Sequence, residues 1–165
     1  MASRHAGFTM IEMMVVVAIV AILALMAAPS FQYQIVRDQI NTALPLADIA
    51  KGPVAMAWAL TQTFPADNAA AGLPAADKIV NNYISSVQVQ DGAIHVTFGN
   101  RINSILKGKI LTIRPAVVED APVVPVAWVC GTAEAPDKMT VKGVNRTDIE
   151  AGYLPFGCRA RSGSK

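Results

Sequence analysis

Glu12 is the only ionisable side chain in positions 8–28, a stretch otherwise apolar enough to lie in lipid. A carboxylate at mid-bilayer depth costs about 2.5–3.5 kcal/mol, less near the interface, and Glu12 stands one turn from the start of the run. Two chemistries fit it. It can snorkel to the headgroups, or it can await a cation inside an assembly. A freed N-terminal amine on a neighbouring chain is such a cation, if the chain is cut just before Phe8. Cys130 and Cys158 are the other reactive pair, able to join or to ligate, but with only His5 and His95 beside them they approach no zinc-ligand spacing. His95 lies between Ile94 and Val96 and so points to the opposite face of a strand, as a solvent-exposed histidine and not a base. Asp67, Asp77, Asp91, Glu119 and Asp120 are scattered through loops without the spacing of a calcium loop. The sequence has no phosphate-cradling glycine loop, no nucleophile elbow and no His-Glu-x-x-His pattern. Trp58 and Trp128 read as core. The expectation is a structural protein with no enzyme activity, cofactor or metal.

The elements that position these residues start with the apolar run. A helix over positions 8–28 spans roughly 30 Å, the thickness of a bilayer's hydrocarbon core. It is longer than the core of a secretory signal, and Pro29, Ser30 and Phe31 lead from it into a continuing helical pattern. Arg4 and His5 precede it with no acid, which keeps that end cytoplasmic and sends the remainder across. In an oxidising compartment Cys130 and Cys158 are expected to pair. Their loop of about 29 residues is worth roughly 3–4 kcal/mol in the chain-entropy account.

Past Pro29, apolar Phe31, Ile35, Ile40, Leu44, Ala47 and Ala50 recur at amphipathic-helix spacing. Pro45 and Pro53 each predict a bend or break, the Gly52-Pro53 pair being the stronger breaker. Helical pattern resumes at 54–63 with Met56, Trp58 and Leu60, and positions 64–77 read as a proline-rich loop. Positions 86–98 give the clearest strands: Val87 and Val89, a two-residue Asp91-Gly92 turn, then Ile94, Val96 and Phe98. Positions 110–116 and 126–130 are two further strands. The fold class is α+β, with a long N-terminal helix packed by its amphipathic half on an antiparallel sheet of about four strands.

Gly7-Phe8-Thr9-Met10-Ile11-Glu12, an unbroken apolar run and then Pro29 closely resemble the class III signal of type IV pilins, in particular the major fimbrial subunits. Ala21 departs from the glycine often found there. The Tyr153-Leu154-Pro155-Phe156-Gly157-Cys158-Arg159 ending and the stretch from Asp67-Asn68 to Pro74 also resemble pilin sequence. The resemblance implies cleavage between Gly7 and Phe8 by a prepilin peptidase, which also methylates Phe8. It further implies an assembly role for Glu12, a helix-bending role for Pro29, and a C-terminal loop closed by Cys130 and Cys158. The implied organisation is a leader at 1–7, a transmembrane and polymerisation helix at 8–28, an amphipathic continuation at 29–63 and a globular head at 64–165.

Hydrophobic residues make up 53% of the chain and charged residues 16%, part of the imbalance being the membrane segment. A net charge of +2 is too small to imply nucleic acid. Arg159, Arg161 and Lys165 form a basic tail that could touch phosphates but reads as a solvated terminus, so DNA binding is unsupported. What the resemblance implies is a homopolymer subunit of a Gram-negative bacterium. It would be held in the inner membrane, processed by the peptidase, and drawn by the pilus assembly machinery into a surface filament for adhesion, twitching motility or DNA uptake. Two alternatives remain. A pseudopilin of type II secretion shares the N-terminal signal, though its major subunit typically has a calcium loop in place of the disulfide. A single-span anchored extracytoplasmic binding domain explains neither Gly7-Phe8 nor Glu12.

Overall fold

The computed structural model describes residues 7–161. Arg4 and His5 near the start, the terminal Lys165 and the side chains of positions 27–30, Pro29 among them, lie outside that description. The chain falls into two compact units divided between Ile35 and Val36. In the first, helix α1 (Met10–Ala43) begins directly after Thr9. Its side chains from Met10 to Met26 are exposed, Met10 at 89% and Leu25 at 77%. It is long and apolar enough to cross a membrane by length and composition.

The second unit holds the end of α1, helix α2 (Asp48–Thr61) and the sheet. Val36, Ile40, Ala43, Ala47, Ala50 and Val54 are fully or almost fully buried, spaced alternately by four and three residues. The stripe shares half of its positions with the predicted one, with Val36 and Ala43 buried in place of Ile35 and Leu44. Ile40, Ala47 and Ala50 hold their places, whereas Phe31 and Ile35 are exposed at 67% and 46%. Leu44 still packs half-buried against the core, while the fully buried positions include the smaller Ala43, Ala47 and Ala50.

The prolines also act differently from expectation. Pro45 sits in a 3-10 turn, Leu44–Ala47, that separates α1 from α2, while Pro53 lies inside an unbroken α2. A residue before proline is pushed out of the helical region by contact between its Cβ and the proline ring. Gly52 has no Cβ, so the pair expected to break the helix is the one tolerated. Gln62 ends α2 in the left-handed region and donates its N–H to the Trp58 carbonyl at 2.9 Å.

The sheet is antiparallel, in the order β1 (Ile84–Gln90), β2 (Ala93–Phe98), β3 (Ile110–Val117), β4 (Ala127–Cys130), with a two-residue β5 (Thr140–Val141) also paired to β3. The β1–β2 hairpin closes through Asp91 (φ 48°) and Gly92 (φ 81°), the pair of positive φ values a type I′ turn requires. Its register sets Val87 opposite Val96 and Val89 opposite Ile94, all fully buried. With Phe98, Leu111 and Ile113 they join the helix stripe in one core.

The 64–77 loop is fixed by Asn68, a buried residue with no predicted role. Its amide donates to the carbonyls of Pro74 and Val87 at 2.9 and 3.0 Å and accepts from the Val89 N–H at 2.6 Å. One side chain thereby stands in for a neighbouring strand along β1, an edge that would otherwise be open to pairing.

Candidate functional site

Thr9 and Glu12 form a reciprocal pair at the start of α1. The Thr9 hydroxyl accepts from the Glu12 N–H at 3.3 Å, and Glu12 Oε2 accepts from the Thr9 N–H and hydroxyl, each at 3.4 Å. This is a capping box, in which the residue before the helix and the third residue within it satisfy each other's free donors. A negative charge there also complements the helix dipole. The signal was present in sequence as Thr-x-x-Glu before an apolar run, and reading Glu12 only as a membrane charge passes it over. Gly7 is open, with free space where a side chain would begin, and Phe8 is 74% exposed. Around α1 the residues Met10, Met13, Met14, Val17, Ala18 and Ala21 line one shallow apolar groove. Pro29 lies within α1.

At the other end of the chain the disulfide is present, joining Cys130 at the end of β4 to Cys158 in a 3-10 turn, Phe156–Cys158, with Cα atoms 4.5 Å apart. Gly131 makes the approach possible. Its φ is +57°, and a Cβ built there would stand 2.6 Å from the Cys158 carbonyl oxygen. Thr132 donates its N–H to that carbonyl at 2.9 Å and accepts from the Ala160 N–H at 3.1 Å, tying the closing turn to the strand end.

Arg159 is no solvated tail residue. Its Nε donates to the Leu154 carbonyl at 2.7 Å and its Nη2 to the Gly152 carbonyl at 2.9 Å. Arg37, from α1, donates to the same Gly152 oxygen through Nε and Nη2 at 3.1 and 2.9 Å. Both guanidinium groups lie over the Phe156 ring, 5.1 and 4.9 Å from its centre. Burial first, and the Arg37 charge second, press the Arg159 pKa down from its ordinary value, though a guanidinium stays charged. Arg161 is exposed.

The structure also corrects His95. It is 2% exposed because residues 143–147 cover the sheet face opposite the helices. Arg146 donates its N–H to the Thr112 hydroxyl at 3.0 Å, and that hydroxyl lies 2.9 Å from His95 Nδ1. His95 Nε2 is buried without a partner. Burial, then the charge of Arg146, lowers the His95 pKa to about 4. Strand alternation identified the face correctly but could not say that another segment covers it. Trp58 is buried and stacks on Phe64, their ring centres 5.0 Å apart, while Trp128 packs half-buried at the core's margin. Among the described residues no three or more His, Cys, Asp or Glu side chains gather as metal ligands.

A family model described as pilin, a bacterial filament protein, matches residues 36–159. The chain belongs to the pilin family. A second model, a prokaryotic N-terminal methylation motif, matches residues 2–28 of this pilin. It is 33% identical over 168 residues to a fimbrial protein of Neisseria meningitidis serogroup A, covering 96% of each chain. To the type IV major pilin protein PilE of Neisseria gonorrhoeae it is 33% identical over 165 residues, again covering 96% of each. Fimbrial protein EcpC of Eikenella corrodens is 32% identical, over 93% of this pilin and 90% of that chain. These relatives give the pseudopilin alternative no support.

Proposed function

We propose that this pilin is the structural subunit of a type IV pilus, and that its work is assembly and not catalysis. The carrying observation is the pairing of a methylation motif at 2–28 with an apolar helix whose side chains from Met10 to Met26 are all exposed in the single chain. Apolar surface of that extent is costly in water, so the helix requires lipid before assembly and other copies after it. In this reading the leader ends at Gly7, prepilin peptidase cuts there and Phe8 becomes N-methylated. Positions 8–28 hold the subunit in the inner membrane, Pro29 bends the helix, 29–63 carry it on to the head, and 64–165 form that head. The assembly machinery then moves the subunit into a surface filament serving adhesion, twitching motility or DNA uptake.

Glu12 has a second use in this scheme. Its bonds to Thr9 are long, and a carboxylate retains further acceptor sites, so it can cap its own helix and still receive the Phe8 amine of an adjacent copy. Mass spectrometry of sheared filaments tests the cleavage: the mature chain is expected to begin at N-methylated Phe8, and Gly7→Leu to leave uncut precursor. A chain that begins after Ala28 overturns the reading.

A further inference from the structure

We propose that Arg37, Phe156 and Arg159 form a membrane-contact patch that binds the headgroups of anionic phospholipid while the subunit waits in the bilayer; the inference rests on the membrane stage proposed above. Phe156 is 79% exposed, yet two guanidinium groups approach its ring, at 5.1 and 4.9 Å from its centre. No ion pair among the described residues joins either arginine to a carboxylate; the pairs present are made by lysines. Each guanidinium carries five N–H donors, and the Gly152 and Leu154 carbonyls occupy only some of them.

This combination fits a membrane interface. Guanidinium groups receive phosphate through paired hydrogen bonds, and an aromatic ring beside them enters the boundary between headgroups and acyl chains. Arg37 is also the first cation after the apolar run, nine residues beyond Ala28. A free phosphate would make no use of the exposed ring. Phe156 and Arg159 share a groove with Glu134, Asp137 and Arg161, a mixture of charges that suits a single headgroup better than a continuous polyanion.

The test uses the full chain carrying Phe156→Trp, reconstituted in zwitterionic vesicles and in vesicles containing phosphatidylglycerol, with flotation as the measure of insertion. The difference emission against the parent chain is expected to shift to the blue only with phosphatidylglycerol. It should be quenched by lipids brominated near the headgroup, return toward the aqueous value at high salt, and ignore inorganic phosphate. Arg37→Gln with Arg159→Gln should abolish the shift, and Arg37→Lys should retain part of it. Because those arginines also pin Gly152, near-UV circular dichroism checks the fold, and the lipid and salt dependence of Phe156→Trp stands without them. A chain that floats with both vesicles while this position stays equally water-exposed in each overturns the proposal. So does shielding that appears only in assembled filaments, which would assign the patch to a second copy. A chain that floats with neither removes the membrane reading and this inference together.

Discussion

A buried imidazole with one unpartnered nitrogen couples the titration of His95 to folding. Its folded pKa of about 4 lies below the ordinary histidine value of 6.5, so the unfolded chain binds more protons between those values. The stabilisation is therefore complete above pH 6.5 and is lost as the pH falls toward 4. At 1.36 kcal/mol per pKa unit the loss reaches roughly 3 kcal/mol at most. Urea midpoints across this range should fall with pH in the parent and less steeply in His95→Leu. Equal slopes would show that His95 is hydrated. Glu12 carries a second prediction at this scale. Glu12→Val should leave the subunit inserted and cut, since the apolar run suffices for the membrane, but surface filaments should be lost because an incoming amine would be buried unpaired. Glu12→Gln keeps an acceptor for the Thr9 N–H and separates the two roles. If it restores the helix start but not filaments, the charge matters; normal filaments from Glu12→Val would leave only the cap.

Among the elements, α2 and the β1 edge give opposite kinds of test. Replacing an interior helical glycine by alanine normally stabilises by about 1 kcal/mol. At Gly52 a Cβ would meet open space but would press on the Pro53 ring. Gly52→Ala should therefore gain far less than that, or destabilise, in thermal melts; a full gain would refute this account of the unbroken helix. Asn68→Ala strips β1 of its stand-in neighbour. The buried Val89 N–H loses its acceptor, at a cost of about 1–3 kcal/mol, and amide exchange at Val89 should accelerate well before global unfolding. The hairpin was legible because Asp91-Gly92 is a local signal that sets its own register. The role of Asn68 was not, because one amide bridging 19 to 21 positions along the chain leaves no periodic trace.

For the whole molecule, the Cys130–Cys158 link closes the C-terminal segment onto β4, where Gly131 permits the contact and the Arg37–Gly152–Arg159 bonds hold the intervening chain to α1. Reduction should cost roughly 3–4 kcal/mol, read as a lower urea midpoint in reduced protein. An unchanged midpoint would mean that those arginine contacts alone fix the segment. By itself the sequence determined the apolar helix, its single carboxylate, the cysteine pair, the hairpin and the α+β class, because length, composition and nearest-neighbour turn chemistry specify each locally. Only the tertiary structure decided which helix face is buried, that Gly52 lets α2 pass through Pro53, that residues 143–147 cover His95, and that Arg37 and Arg159 meet at Phe156. Those outcomes depend on which distant segments come to lie together, and the closing of long loops is specified by the summed packing of the core rather than by any local pattern.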